Sequence, residues 1–324
     1  MNFNKMFMLM MIMSTMITIN SSNWVSMWMG MEMNLMFFIP LVSKASNKKS
    51  SQAMMIYFMV QSISSMMMLF SILMSSIIVI SPVTMSELMK SMLTMSLLMK
   101  LGSAPFHNWV IEMLTMMKWL EAFILLTWQK VAGLFVLSNI MQTKLIMFII
   151  MLTTAIGAIG GINYSSMMKI MGYSSINHMG WMFMAMNYST MWYKYLILYS
   201  MMLMMVCLFF NYYNLYYINQ VYTNSNSITE KLNFSIIMLS MSGLPPFLGF
   251  IPKLMIINLS NNSFLIMFMI MMSLLTLFYY IRIISSMLVL YSMSNKYMKT
   301  KSSNLMMTNM MLNLMLPMIM IMLN

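Results

Sequence analysis

Apolar run follows apolar run along this chain, each about as long as a lipid bilayer is thick. A membrane-crossing helix needs about 20 mainly apolar residues. By that ruler the sequence holds eleven spans, at roughly 6–22, 26–43, 53–80, 84–118, 120–140, 145–163, 168–188, 191–218, 231–259, 263–290 and 304–323. The fourth and ninth are interrupted. The linkers are short and polar, as in "SKASNKKSSQ" and "INQVYTNSNSITEK". In hydrocarbon every backbone group must be satisfied within its own segment, so runs of this length predict helices. The fold class expected is an all-α polytopic membrane protein occupying residues 1–324 as one membrane domain.

The charge content excludes the common alternatives. Only 7% of the residues are charged, against about 25% in an ordinary soluble domain. The net charge of +12 comes from scattered cations, not from a patch fit for nucleic acid. Cys207 is the single cysteine, so neither a disulfide framework nor a thiolate cluster is expected. The first apolar run lacks a small-residue cleavage site and reads as the first membrane helix. Methionine reaches 60 of 324 residues. It is read as adaptable apolar filler, and its abundance points to an A+T-rich mitochondrial gene.

Positive charge between the spans gives an orientation. Lys5, Lys44, Lys48, Lys49, Lys118, Lys169, Lys231, Lys296, Lys299 and Lys301 fall on the side of the N-terminus, whereas Lys144 and Lys194 fall opposite. The N-terminus is therefore expected on the cytoplasmic or matrix side.

The two interrupted spans share a pattern. "KLGSAPFHNW" and "GLPPFLGFIPK" both carry Gly-x-x-Pro-Phe, at Gly102–Phe106 and Gly243–Phe247. Proline removes a helix donor and disfavours helix before it, and glycine frees the same turn. The breaks lie five spans apart and run antiparallel. That predicts inverted five-helix repeats over 1–140 and 145–290, with 304–323 as an added C-terminal helix and a discontinuous helix in each half.

Charges within the spans are costly and mark function or pairing. Lys90, Glu87 and Arg282 lie close enough to an interface to snorkel. Glu32, Lys100, Lys130 and Lys253 do not, and they are read as a proton relay, with static ion pairs as the alternative. Burial disfavours an ammonium and a nearby carboxylate favours it, so moving Glu32 would switch a lysine between holding and releasing a proton. Lys100 also ends a half-helix, whose partial negative charge favours a cation. His178, in "GYSSINHMGWM", and His107, in the first break, are weaker relay candidates. The alternative for each is a satisfied packing residue, and Glu112 is read as surface or path alike. The chain has no Asp, no phosphate-binding loop and no metal-ligand spacing.

"KLGSAPFHNWVIEM", "LLTWQK", "GYSSINHMGWM", "GLPPFLGFIPK" and "GMEMNLMFFIP" together resemble the antiporter-like membrane subunits of mitochondrial complex I, the NADH:ubiquinone oxidoreductase, and among them the subunit 2 family, with an insect-like composition. The resemblance covers essentially the whole chain. It implies a proton-translocating subunit of the mitochondrial inner membrane, N-terminus in the matrix, partnered by other membrane-arm subunits and lipid. It implies proton-channel roles for Glu32, Lys100, Lys130 and Lys253. It also implies that NADH, FMN, iron–sulfur clusters and ubiquinone are handled by other subunits, with no cofactor in this chain. Asn108, Ile111 and Gly133 depart from the family's usual aromatic, proline and proline. Outside complex I, the same residues would suit a cation/proton antiporter, and locked ion pairs would suit a structural subunit.

Overall fold

The structure is a computed structural model that describes residues 3–43, 48–77, 84–140, 144–188, 191–224, 228–260 and 262–289. These residues are helical with short connections, and the chain divides into two compact units, Met1–Thr143 and Lys144–Asn324. The first holds α1 (Phe3–Asn20), α2 (Trp24–Val42), α3 (Lys48–Ile77), α4 (Thr84–Leu101), α5 (Asn108–Met116), α6 (Trp119–Leu126) and α7 (Trp128–Ser138). The second holds α8 (Lys144–Gly160), α9 (Met167–Tyr188), α10 (Trp192–Tyr213), α11 (Ile218–Asn224), α12 (Ile228–Ser242), α13 (Phe250–Leu259) and α14 (Ser263–Val289).

Within each unit the helices pack in the same order. In the first, α1 packs on α2, α2 on α3, α3 on both α4 and α5, and α7 on α1, α2 and α4. In the second, α8 packs on α9, α9 on α10, α10 on both α12 and α13, and α14 on α8, α9 and α12. The first pair closes on a glycine in both. A Cβ on Gly30 would run into Thr18 of α1, and one on Gly180 would run into Thr154 of α8. Small residues at such crossings let helix backbones approach where lipid gives no hydrophobic push.

The helices resolve their polar content internally. Serine and threonine hydroxyls donate back to carbonyls one turn earlier, as Ser14 to Met11 (2.8 Å), Ser71 to Met68 (2.7 Å) and Ser174 to Met171 (2.9 Å). Apolar side chains meanwhile face outward. Phe264, Met267, Met271 and Phe278 line one side of α14 at 74, 63, 59 and 57% exposure. In water such a stripe would mark an interface or an aggregation hazard; against lipid tails it carries no hydrophobic cost. Among the described residues, five helical segments are long and apolar enough to cross a membrane: Trp24–Val42, Lys48–Ser75, Trp119–Ser138, Trp192–Tyr213 and Ser263–Ser285.

Both interruptions are the same backbone device. α4 stops at Leu101, and Gly102 takes φ +65°. The Gly102 amide donates to Met99 O (3.2 Å) and the Ser103 amide to Leu98 O (3.2 Å). α12 stops at Ser242, Gly243 takes φ +81°, and the amides of Gly243 and Leu244 donate to Ser240 O (3.1 Å) and Leu239 O (3.5 Å). This paired 5→2 and 6→1 bonding is the Schellman cap, which requires a residue comfortable at positive φ. The Gly-x-x-Pro-Phe match is therefore a helix stop, with the prolines following where helix cannot resume.

Three features differ from the sequence expectation. The fifth span is not continuous: α6 and α7 meet at Thr127, whose hydroxyl bonds Phe123 O (2.7 Å) while the Lys130 amide reaches back only three residues to Thr127 O (3.2 Å). Hydroxyl competition for the helix ladder has no apolar signature, so the pattern alone gave no sign of it. The linker after α10 is not all loop, since it contains α11. Its preceding turn bridges the α8–α9 loop, with the Met167 amide on Tyr216 O (2.8 Å) and the Ile218 amide on Ser165 O (3.1 Å). Arg282 does more than snorkel: its guanidinium donates to the carbonyls of Ile162 and Tyr164, tying α14 to that same loop. The expected eleventh span, 304–323, and Lys44, Lys296, Lys299 and Lys301 lie outside the described residues.

The glycine contacts make a direct prediction. Gly180→Leu should overpack the α8–α9 crossing by about 1–3 kcal/mol and lower the thermal stability of the protein in its native membrane complex. Leu274→Ile, on an outward face at 53% exposure, should leave the melting temperature unchanged.

Candidate functional site

The first break brings Glu32, Lys100 and Lys130 towards one another. Lys100 lies in the last turn of α4, and its Nζ donates to Glu32 Oε1 on α2 at 3.3 Å. This is the one ion pair among the described residues, with the lysine side chain 7% exposed and the glutamate 25%. The lysine lies in the last turn of its half-helix, as its place in the sequence implied, but its own carbonyl is bonded from another helix. That carbonyl is taken by a neutral donor: Gln61 of α3 reaches Lys100 O at 3.1 Å. Lys100 is thereby released from the helix end to face Glu32.

Lys130 lies one turn past the Thr127 discontinuity and is 5% exposed. A cavity of about 40 Å³ separates it from Lys100, and both lysines line it. Gly133 lets α7 come this close, since a Cβ there would stand 2.7 Å from Leu101 Cδ2 at the end of α4. The rest of the lining is mixed. Asn34, Tyr57, Gln61 and Gln129 supply polar atoms; Met31, Leu101, Trp109, Val110 and Leu125 are among the apolar ones. A cavity holds a water once it offers about 10–15 Å³ with polar partners, so this one has room for two or three.

Sequence reasoning missed the amides and the phenol. Gln129 accepts from the Tyr57 hydroxyl at 3.2 Å and donates to Asn34 Oδ1 at 3.1 Å and to Met11 Sδ at 3.2 Å. The Tyr57 ring stands edge-on to Phe38 at 5.1 Å and tilted to Trp109 at 6.0 Å. Spacing held part of the signal, because Asn34 follows Glu32 by two residues and Gln129 precedes Lys130. Uncharged polar residues are common in this chain, however, and only the fold singles these out.

The second break is built differently. Lys253, in the first turn of α13 and 5% exposed, reaches back across the break to donate to Ser242 O, the end of α12, at 2.6 Å. Its ammonium also stands 5.8 Å from the Trp181 ring centroid on α9, at the edge of cation–π range. Gly243 leaves the space, since a Cβ there would lie 2.9 Å from Lys253 Nζ. His178, three residues before Trp181, is 3% exposed; its Nδ1 is 2.8 Å from Tyr195 Oη and its ring 4.8 Å from that of Tyr199.

The remaining candidates lie apart from these sites. His107 caps the N-terminus of α5 half-buried, with Nδ1 3.2 Å from Pro105 O, and is not among the cavity-lining residues. Glu87, Lys90 and Glu112 are exposed. Lys231, counted above as a surface charge, is 5% exposed beside the equally buried Glu230, which lies against Tyr213.

Comparison with known proteins bears on all of this. A family model described as "NADH:quinone oxidoreductase/Mrp antiporter, TM" matches residues 21–279. NADH-ubiquinone oxidoreductase chain 2 of Anopheles gambiae is 38% identical over 311 residues, 93% of this chain and 90% of that protein. The protein of the same name from Locusta migratoria is 34% identical over 92% of this chain and 89% of its own length. In fold, the chain superposes on a chain of respiratory complex I from Thermus thermophilus with a TM-score of 0.82 at 16% identity, covering 96% of this chain and 77% of that one. A chain of the Mrp complex from Dietzia sp. DQ12-45-1b gives a TM-score of 0.75 at 15% identity, covering 86% and 59%. The two Schellman-capped breaks and their lysines thus belong to a member of the NADH:quinone oxidoreductase/Mrp antiporter transmembrane family.

Proposed function

We propose that this chain is the antiporter-like, proton-translocating subunit 2 of mitochondrial complex I. It would span the inner membrane with its N-terminus in the matrix, among other membrane-arm subunits. The observation that carries the reading is the Glu32–Lys100 pair set at a broken helix end, facing Lys130 across a small cavity. An ammonium beside a carboxylate keeps its proton, and one that loses that partner in apolar surroundings sheds it. Water in the cavity would take the proton towards Lys130, and Lys253 would serve the second break. His178 and His107 are secondary candidates; the bond of His178 to Tyr195 fits a proton-handling role better than the half-buried place of His107 outside the cavity lining does. The matching packing order of the two units supports inverted repeats, because five spans per repeat reverse the direction of the second.

NADH oxidation and quinone reduction belong, on this reading, to other subunits, where FMN, iron–sulfur clusters and ubiquinone are held. The likeness to the Mrp complex chain favours one second reading, a cation/proton antiporter outside complex I.

Two experiments separate these readings. On native gels of mitochondrial membranes the chain should co-migrate with a large NADH-oxidising assembly; recovery in a small particle alone would favour the antiporter reading. In the assembled complex, Lys100→Ala should lower the protons moved per NADH. Glu32→Gln keeps an acceptor for Lys100 but removes the carboxylate charge and should lower the proton yield in the same direction. A normal yield from both would leave a structural pair in place of a relay.

A further inference from the structure

We propose that Gln129 is a positioning residue for proton passage, holding the polar wall of the cavity between Lys100 and Lys130 in a single hydrogen-bonding pattern. The inference rests on the relay reading above and adds a part that charged residues do not supply. Through its hydrogen bonds to oxygen, Gln129 joins three helices. Its carbonyl accepts from Tyr57 of α3, and its amide donates to Asn34 of α2, from its own place in α7. Each of those helices carries a member of the site: Glu32 on α2, Gln61 on α3 and Lys130 on α7.

The orientation of the Gln129 amide is fixed by its partners. A thioether only accepts, so Met11 Sδ at 3.2 Å requires the Gln129 nitrogen on its side, where Asn34 Oδ1 accepts as well. That leaves the Gln129 oxygen to the Tyr57 hydroxyl, which donates to it. The wall therefore presents one fixed dipole to the cavity, together with the free lone pair of Tyr57 and the amino group of Asn34. Ordered donors and acceptors align a short row of water, which proton transfer requires. A disordered or apolar wall would leave the two lysines separated by a gap.

The test uses the assembled complex, with protons moved per NADH measured and the amount of complex followed on native gels. The drop produced by Lys130→Ala defines the share carried by this path. Tyr57→Phe, which loses one hydrogen bond, should cut that share about twofold, and Gln129→Leu, which loses that bond and the one to Asn34, about two- to tenfold. The double variant should fall no further than Gln129→Leu, since the bond lost in Tyr57→Phe is already lost there. Both should raise the D₂O solvent isotope effect on coupled turnover. Phe38→Leu, which disturbs the packing of Tyr57 without touching a polar atom, should raise neither. If Gln129→Leu prevents assembly, Tyr57→Phe decides, because its ring keeps its packing. A wild-type yield in Tyr57→Phe, or an equal loss in Phe38→Leu, would overturn the proposal while Lys130→Ala still supports the relay. A normal yield in Lys130→Ala would remove the relay and this proposal together.

Discussion

A helix that stops inside an apolar layer leaves carbonyl groups that water does not reach, and the two sites follow from how those groups are satisfied. An unpaired buried polar group costs free energy of the order of a lost hydrogen bond. The glycine caps satisfy the carbonyls of Leu98 and Met99 in α4 and of Leu239 and Ser240 in α12. Of the two carbonyls left at each end, one takes a side-chain donor. At α4 the donor is the Gln61 amide on Lys100 O, and at α12 it is the Lys253 ammonium on Ser242 O.

That difference in donor sets the chemistry of each unit. A neutral amide at the first break leaves the adjacent lysine free to pair with a carboxylate, and Lys100 does so at 3.3 Å. An ammonium at the second break is committed to the helix end and to the face of Trp181. The same interrupted backbone therefore holds one lysine against a charge and another against a dipole. A charge partner that moves alters the lysine strongly; a helix end is a fixed field, stable as long as the break itself. Under the relay reading the first unit contains the adjustable element and the second a more constant acceptor.

Much of this was legible in the residues. The apolar runs foretold the helices, and the repeated Gly-x-x-Pro-Phe marked both stops, because glycine and proline act through the backbone at their own positions. Glu32, Lys100, Lys130 and Lys253 stood out since charge in an apolar run is rare. The Thr127 discontinuity, the tether from Arg282 to Ile162 and Tyr164, and the Gln61 cap were not legible. Each depends on an uncharged group, or on a carbonyl more than a hundred residues away in the case of Arg282, and a pattern of apolar spacing records neither. The burial of Lys231 shows the limit of counting charges between spans: the residue falls where a surface lysine is expected, yet packs beside Glu230.

Exposure within the Glu32–Lys100 pair indicates which member is able to move. Lys100 belongs to a turn held by the Gly102 and Ser103 amides and by Gln61, and its side chain is 7% exposed against 25% for Glu32. Unit charges at this separation attract by about 5 kcal/mol at an effective dielectric of 20, and the better-solvated partner recovers more of that from its surroundings on leaving. A shift of roughly 5.5 kcal/mol is what carries a two-state equilibrium from 1:99 to 99:1, and the bare attraction of the pair, before the solvation that offsets it, is of that order. Under the relay reading the lysine, fixed at the helix end and facing the cavity, is the site that responds, and the carboxylate is the part that carries the signal to it.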